Sequence, residues 1–373
     1  MKQDTVAPAA RSRASGADVL IVGGGLVGLS SAVALAKRQA RVILLDHRLP
    51  GEASPAAAGM LAPGVERADG AAHRFAVAAR DRYPSFVEEL ADATGMHVSL
   101  NRLGILALVL DAAGAEHARR NLAPGTEWID AEQLRAMEPA LGHATGAVLH
   151  PGDGAVDNVA LVRALRACVA NDPRITVLRE GATAVDAGTT HACVATDAGH
   201  RYDAETVVLA AGAWSATLAG LPRPLPVSPV RGQMYSVEGA PLAHVTYGPH
   251  GYVVPRGDEN TVVGATMENA GFDVATTPDG MARVEAAGAE IAPVLAHARV
   301  LHRWSGLRPV TPDFLPILGR DPEVPSLLYA CGHSRNGILL GPLSGDVVAA
   351  LALGETPGYD LTPFAIDRLL LEQ

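Results

Sequence analysis

Three glycines near the start of the chain have the spacing with which a backbone holds a pyrophosphate group. Gly23, Gly25 and Gly28 follow the apolar run Val19–Val22. The first glycine permits a tight turn, the second lets the backbone approach a phosphate without a Cβ, and the third lets a helix pack closely on a strand. The free N–H groups of the helix that follows add partial positive charge. The spacing therefore predicts a dinucleotide site.

An acidic residue, Asp46, ends the next apolar run, Arg41–Asp46. At the end of a second strand its carboxylate can accept hydrogen bonds from ribose hydroxyls, and its charge would repel the extra phosphate of NADP. The glycine spacing alone does not separate FAD from NAD. The chain has one such fingerprint and further glycine-rich segments near its end, which favours FAD, an extended cofactor that crosses a domain.

A single arginine, Arg308, lies in an apolar stretch between Leu307 and Pro309. A buried guanidinium is costly unless a carboxylate pairs with it. Its planar fork suits a bidentate contact with a carboxylate. The sequence leaves two partners open, the carboxylate of a ligand or a protein carboxylate in a structural salt bridge.

The elements that must position these residues follow from the apolar pattern. Val19–Val22 and Arg41–Asp46 predict buried parallel strands, and Leu26–Lys37 predicts the helix between them. Thr206–Ala211 predicts another buried strand, and Gly337–Leu353 predicts a helix closed by a glycine. The loop before that last helix predicts either a plain N-cap or a helix N-terminus that stabilises negative charge on a bound cofactor.

Beyond Pro222 the pattern changes to alternating segments, which predict antiparallel strands with one hairpin, followed by a helix. These are Gly232–Val237, Tyr252–Pro255, Asn260–Gly264 and, for the helix, Gly280–Ala296. We predict an α/β chain with a doubly wound Rossmann-type FAD-binding domain and an inserted antiparallel α+β substrate domain. The predicted FAD-binding domain comprises residues 17–90, 148–221 and 305–373, the substrate domain 91–147 and 222–304, and a disordered N-terminal extension 1–16.

Composition limits the partners. The chain is 48% hydrophobic and 19% charged, as in globular proteins, and its formal charge of -10 argues against nucleic acid or an anionic membrane surface. Three widely separated cysteines predict neither a disulfide framework nor a metal site. The chain shows no secretory h-region and no uninterrupted apolar span, so we predict a cytoplasmic protein without a transmembrane segment.

Five longer strings carry a resemblance to a known family. They are Glu52–Leu61, Pro229–Met234, Gly264–Met267, Trp304–Asp313 and Gly332–Leu340. From about Asp18 to the C-terminus, the chain resembles the glycine oxidase branch of the D-amino-acid oxidase superfamily. The resemblance implies a doubly wound FAD domain and an antiparallel sheet that covers the isoalloxazine ring. Related sarcosine oxidases attach their flavin to a cysteine near the Trp304–Asp313 segment, which has none here, so non-covalent FAD is expected and Cys331 is predicted to lie in the core.

The resemblance also implies which residues contact FAD. Besides the glycines, these are residues of the phosphate turn, the ribose site, the loop on the flavin side, the adenine site and the loop around the pyrimidine end of the flavin. They are Leu26, Val27, Asp46, His47, Ala53, Ser54, Ala58, Gly59, Met60, Ala182, Gly332, His333, Arg335, Asn336, Gly337, Ile338 and Leu339.

For the substrate, the resemblance implies that Arg308 holds a carboxylate, with Arg335 as a second arginine and Tyr252 as a hydroxyl donor. It places His250, Met60 and Met267 around the pocket, the two methionines as walls that limit the side chain accepted. A packed tyrosine, a solvated histidine and core methionines are the alternatives.

The implied activity is FAD-dependent oxidation of a small amino acid. Glycine would give iminoglycine, which hydrolyses to glyoxylate and ammonia while oxygen becomes hydrogen peroxide, and the imine would supply thiamin thiazole synthesis. The alternatives are a D-amino-acid or hydroxyproline dehydrogenase that reduces a quinone, a non-catalytic FAD-binding protein and an NAD-dependent dehydrogenase. The resemblance further implies a homo-oligomer, with a tetramer typical of the family.

Overall fold

The computed structural model describes residues 16–257 and 259–369. The predicted N-terminal extension therefore lies outside the described residues, apart from Gly16. The strands are β1 Ala17–Val22, β2 Val42–Leu45, β3 Met60–Leu61, β4 Leu100–Asn101, β5 Ile105–Val109, β6 Glu127–Asp130, β7 Gly146–His150, β8 Gly154–Val156, β9 Ile175–Leu178, β10 Ala182–Ala187, β11 Ala192–Thr196, β12 Arg201–Leu209, β13 Ser228–Glu238, β14 Val245–Tyr247, β15 Tyr252–Arg256, β16 Asn260–Gly264, β17 Val300–Val310, β18 Ile317–Arg320 and β19 Leu327–Cys331.

The α-helices are α1 Leu26–Lys37, α2 Ala53–Ala56, α3 Pro63–Glu66, α4 Gly70–Thr94, α5 Ala112–Arg120, α6 Ala131–Met137, α7 Asn158–Asn171, α8 Pro278–Ile291 and α9 Gly337–Ala352. Short 3-10 helices cover Pro139–Leu141, Gly212–Thr217, Pro293–His297, Thr362–Phe364 and Ile366–Leu369. Within the described ranges, no helix is both long and apolar enough to cross a membrane.

A sheet of eight strands forms the dinucleotide-type half of the fold. Its order is β10-β11-β12-β1-β2-β9, with β19 beside β12 and β18 beside β19. The strands β2, β1, β12 and β19 pair parallel with one another in that order, as the buried apolar runs predict, whereas β11 and β18 pair antiparallel with β12 and β19. The helices α1 and α9 pack on this sheet, and both are almost entirely buried. The predicted doubly wound Rossmann-type fold is confirmed.

Small residues let α1 and α9 lie close together. A Cβ on Gly345 would lie 2.6 Å from the carbonyl carbon of Ser30, and a Cβ on Gly341 would lie 2.7 Å from Leu26 Cδ2. Because both helices begin at the same edge of the sheet, their N-termini meet the same cavity. Gly354, with φ +75°, follows the last turn of α9, as the glycine after the predicted helix indicates.

A second sheet of eight strands has the order β17-β13-β16-β15-β14-β5-β7-β6. The long strands β13 and β17 pair antiparallel, and β15 and β16 form the predicted hairpin. The pair β14 and β5 is parallel, so this sheet is not wholly antiparallel as predicted. The strands β3, β8 and β4 form a small third sheet.

Two sequence expectations about local structure were wrong. The predicted helix Gly280–Ala296 ends at Ile291, because Pro293 forces the residue before it, Ala292, into an extended conformation and a 3-10 turn follows. The buried strand predicted at Thr206–Ala211 covers Arg201–Leu209 instead. Its first residues alternate between exposed and buried, so they do not form the continuous apolar run on which the prediction was based.

Candidate cofactor and substrate site

A cavity of about 640 Å³ extends along the edge where α1 and α9 begin, and residues of both large sheets line it. All the predicted substrate-binding residues line this cavity. All the predicted cofactor-binding residues line it too, except Gly28 and Leu339. Leu339 is 1% exposed and packs in the core, because it lies on the face of α9 that is turned away from the cavity.

The three glycines of the turn have three separate geometric roles. Gly23 has φ +113°, and a Cβ there would lie 2.3 Å from the carbonyl oxygen of Ala210. A Cβ on Gly28 would lie 1.9 Å from the carbonyl oxygen of Gly23, so this glycine allows α1 to pack closely against the end of β1. At Gly25 the nearest atom to a Cβ is Ser54 Oγ at 3.4 Å, and the remaining space is open cavity. This turn fits a pyrophosphate group that lies against Gly25.

Asp46 is 2% exposed and lies in the wall of the cavity. Its Oδ2 accepts hydrogen bonds from Arg179 Nη1 at 2.6 Å and Arg48 Nε at 3.1 Å. Its Oδ1 is buried and has no hydrogen-bond partner in the described part of the chain. A buried carboxylate oxygen without a donor is costly, and the ribose hydroxyl of a bound FAD would supply the donor.

The loop at residues 53–60 is held in place by side chains from distant elements. Asn158 Nδ2 donates to the carbonyl oxygen of Ser54 at 2.7 Å, and Trp304 Nε1 donates to that of Ala56 at 2.9 Å. These bonds satisfy backbone oxygens and leave the small side chains of the loop facing the cavity. Sequence reasoning found the loop but missed Asn158, since nothing local connects it to residues about a hundred positions away.

The loop before α9 carries a neutral histidine. His333 is 3% exposed, and its Nε2 lies 3.0 Å from Ser344 Oγ. Burial lowers the pKa of His333 to about 4, so the ring is uncharged near neutral pH. The next residue, Ser334, has φ +49°, and its N–H donates to the carbonyl oxygen of Pro309 at 2.9 Å. With this ring uncharged, the N-terminus of α9 contributes positive potential at this wall.

We expect the His333→Gln variant to lose part of the acid sensitivity of the protein. An unfolded histidine titrates near pH 6.5 and the folded one near pH 4, so the unfolded state binds more protons between these values. Wild-type stability therefore falls as pH falls through this window, by about 2 kcal/mol between pH 7 and pH 5 from this residue. Urea unfolding at both pH values measures the effect. The exposed His302→Gln control should keep the wild-type dependence, and equal dependence in His333→Gln would contradict the assignment.

Arg308, on β17, offers a positive charge to the cavity. Its Nη1 donates to the carbonyl oxygen of Thr266 at 2.9 Å, and Tyr252 is its polar neighbour. Gly232 leaves room for the guanidinium, because a Cβ there would lie 2.1 Å from Nη1. No carboxylate oxygen of residues 16–257 or 259–369 lies within 4.0 Å of Arg308. The structural salt bridge that the sequence left open thus finds no partner in these ranges.

Arg335 is placed differently, since it pairs with a protein carboxylate. Its Nη2 donates to Oε2 of Glu66, and the hydroxyl of Tyr247 donates to Oε1 at 2.8 Å. The rings of Tyr247 and Tyr252 lie 5.7 Å apart between centroids. Sequence reasoning missed Glu66 and Tyr247, which also line the cavity. Neither residue lies in a motif, and only the fold brings them to Arg335.

The remaining predicted substrate residues lie at the wall and the rim. Met60 is half-buried in the wall, whereas Met267 is 49% exposed at the rim. His250 is largely exposed, and its Nδ1 lies 2.9 Å from Glu290 Oε2. A second hollow of about 520 Å³ adjoins the rim and shares His250, Ala265 and Met267. Cys331, as predicted, is 1% exposed in the core.

The dinucleotide turn, the unpartnered oxygen of Asp46 and a guanidinium without a carboxylate partner in the described ranges fit a flavoprotein oxidoreductase. Residues 18–351 match the family described as DAO, FAD dependent oxidoreductase, and the chain belongs to this family. FAD is its cofactor.

Among its relatives, the chain is 34% identical to the glycine oxidase of Geobacillus kaustophilus over 94% of this chain and 97% of that protein. The crystal structure of glycine oxidase from that organism superposes with a TM-score of 0.87 at 32% identity, covering 94% of this chain and 98% of the other. The chain is 38% identical to the bifunctional protein ThiO/ThiG of Synechocystis sp., over 95% of its own length, but it spans only 54% of that relative. The resemblance drawn from the sequence motifs is confirmed.

Proposed function

We propose that the protein oxidises the C–N bond of a small amino acid, with glycine as the main substrate. The imine formed would hydrolyse to glyoxylate and ammonia, and oxygen would be reduced to hydrogen peroxide. The observation that carries the proposal is Arg308, a guanidinium without a carboxylate partner in the described ranges, in a cavity that also contains the dinucleotide turn. A substrate carboxylate would complete the arrangement.

The chain's own residues would bind and orient the substrate. Arg308 would hold the carboxylate through its planar fork, with the hydroxyl of Tyr252 as a further donor. When bound, FAD would supply the hydride-accepting chemistry, which belongs to the cofactor itself. Fixing the carboxylate holds the α-carbon in one position, which makes the transfer effectively intramolecular. Met60 in the wall and Met267 at the rim would limit the side chain to a small one.

The relatives support the choice of glycine and of a biosynthetic role. A glycine oxidase matches the chain over nearly its full length, and a protein named ThiO/ThiG matches it over the chain but extends well beyond it. We therefore propose that the product supplies thiamin thiazole synthesis. One methylene changes discrimination in a pocket by only about 1–3 kcal/mol, so sarcosine and small D-amino acids are tested beside glycine.

Four further features are part of the proposal. The chain has an FAD-binding domain and a substrate domain, and its two large sheets support two domains, but β7 and β17 of the second sheet cross the boundaries predicted at 148 and 305. FAD is held non-covalently, since the segment Trp304–Asp313 contains no cysteine; Cys331 borders the cavity but is only 1% exposed. The homo-oligomer, with the tetramer typical of the family, and the cytoplasmic location stay predictions.

The test is anaerobic bleaching of the visible flavin spectrum. The purified protein is titrated with glycine, sarcosine and D-alanine in separate runs, and air is then admitted. Bleaching by glycine, followed by return of the colour with hydrogen peroxide, is expected. Return of the colour only with a quinone would favour the dehydrogenase alternative, and no bleaching by any amino acid would favour a non-catalytic FAD-binding protein.

A further inference from the structure

Two arginines and one glutamate line the substrate part of the cavity, Arg308, Arg335 and Glu66. All three act on one hydroxyl, that of Tyr252. Burial raises the pKa of Tyr252, the positive charges of Arg308 and Arg335 lower it, and the negative charge of Glu66 raises it. The ring of Tyr252 lies 5.7 Å from that of Tyr247, whose hydroxyl donates to Glu66, so the three charges surround these two neighbouring phenols.

Glu66 forms an ion pair with Arg335, the second arginine of this site. Its side chain is 13% exposed, and both of its oxygens are used, Oε1 by the hydroxyl of Tyr247 and Oε2 by the guanidinium of Arg335. Arg308 has only neutral neighbours among the described residues, the carbonyl oxygen of Thr266 and the phenol of Tyr252. The two arginines thus differ, one being neutralised by the protein and the other not.

The position of Glu66 is set from outside the cavity. Glu66 ends the short helix α3, and the N–H groups of Gly64 and Val65 at its start donate to Asp153 at 2.9 and 3.0 Å. Asp153 is 2% exposed, and Arg80 Nη1 lies 3.4 Å from its Oδ1. Because a buried carboxylate anchors the helix, Glu66 is held against Arg335 rather than free to turn into solvent.

We propose that Glu66 restricts the site to substrates with a single carboxylate. It acts as a positioning residue, holding Arg335 so that Arg308 alone is left to bind an acidic group. The inference rests on the proposed function and deepens it by naming the substrate class. Amino acids with one carboxylate are bound, whereas N-carboxymethyl amino acids and other dicarboxylic amines are rejected.

Charge balance gives the physical reason. Two guanidinium groups and one carboxylate leave a net charge of plus one, which one substrate carboxylate neutralises. A second substrate carboxylate would leave an uncompensated negative charge in a partly buried site and would compete with Glu66 for Arg335. Unpaired charges of this kind are a common means of rejecting a wrong ligand.

The experiment measures the binding of non-oxidisable acids to the FAD-loaded protein by perturbation of the visible flavin spectrum. Acetate is the monocarboxylate, and malonate and succinate are dicarboxylates of two lengths. Wild type should prefer acetate to both. In Glu66→Gln the better dicarboxylate should bind about tenfold or more tightly than in wild type, because Arg335 is released for its second carboxylate, and acetate, which has no second carboxylate, should gain less.

Two further variants keep the test decisive if Glu66→Gln does not retain FAD. Arg335→Gln removes the net positive charge, so its acetate affinity should fall about tenfold or more. The double variant Glu66→Gln/Arg335→Gln restores that charge and should regain acetate binding and the rejection of dicarboxylates. A merely structural role would not give this recovery. Glu285→Gln, which removes an exposed carboxylate paired with Arg303, is the charge-matched control and should behave as wild type.

The outcomes separate this inference from the proposed function. If glycine bleaches wild type but the acid preferences are the same in Glu66→Gln, the function stands and the inference is overturned. Unchanged acetate affinity in Arg335→Gln would also overturn it. If no amino acid bleaches wild type but the preferences shift as expected, the charge rule holds and the proposed reaction is wrong.

Discussion

The Arg308→Ala variant is expected to keep its bound FAD and yellow colour and to lose about 10²- to 10³-fold in kcat/KM for glycine. Arg308 is on β17, whereas the dinucleotide turn at Gly23–Gly28 belongs to the first strand–turn–helix unit of the chain. Loss of the guanidinium therefore removes the grip on the carboxylate and leaves the cofactor contacts intact. Steady-state peroxide production measures the activity, and the visible spectrum measures FAD content.

Two control variants sharpen this prediction. Arg308→Lys keeps the charge but loses the planar fork, so it should recover part of the activity. Arg303→Ala changes an exposed arginine of the same strand, which pairs with Glu285, and should behave as wild type. A colourless Arg308→Ala protein would show that the arginine serves the fold or the cofactor, and a fully active one would remove it from substrate binding.

The parts of the site that sequence reasoning located are local in the chain. Gly23, Gly25 and Gly28 act through backbone geometry within one strand–turn–helix unit, so their spacing carries the information. Asp46 was found for the same reason, since it directly follows the next strand, β2. The residues that complete its site, Arg48 and Arg179, were not found, because an arginine beside a carboxylate has no sequence pattern of its own.

The pairing of Glu66 with Arg335 shows more clearly which contacts cannot be predicted from the sequence. The two residues are 269 positions apart and meet only because α3 and the loop before α9 line the same cavity. Sequence similarity placed Arg335 near the substrate but said nothing about its charge partner. Whether an arginine is available to a ligand depends on that partner, so this property could be obtained only from the fold.

Strand pairing over long separations in the second sheet was equally beyond the sequence. The hairpin β15–β16 was predicted because a short turn joins its strands. The parallel pair β14 and β5 joins Val245–Tyr247 to Ile105–Val109, and no local turn signals such a contact. Strand order over long separations depends on packing of the whole sheet, which periodicity does not report.

A Gly25→Val variant is expected to fold but to bind FAD about 10- to 100-fold more weakly. The backbone at Gly25 has φ -76°, which any residue adopts, so no conformational strain opposes the substitution. A Cβ there would meet only Ser54 Oγ at 3.4 Å within the protein, and the rest of the side chain would fill the cavity. The valine would therefore occupy the space of the pyrophosphate group. FAD titration of the apoprotein, followed by flavin fluorescence, measures the loss.

Comparison with two other glycines shows whether the effect belongs to the cofactor or to the fold. Gly28→Val should damage folding itself, because its Cβ would lie 1.9 Å from the carbonyl oxygen of Gly23. Gly188→Val has a nearest neighbour at the same 3.4 Å as Gly25 but lies outside the cavity, so it should bind FAD as wild type does. Circular dichroism separates the cases. If Gly25→Val bound FAD normally, the turn would not hold the pyrophosphate.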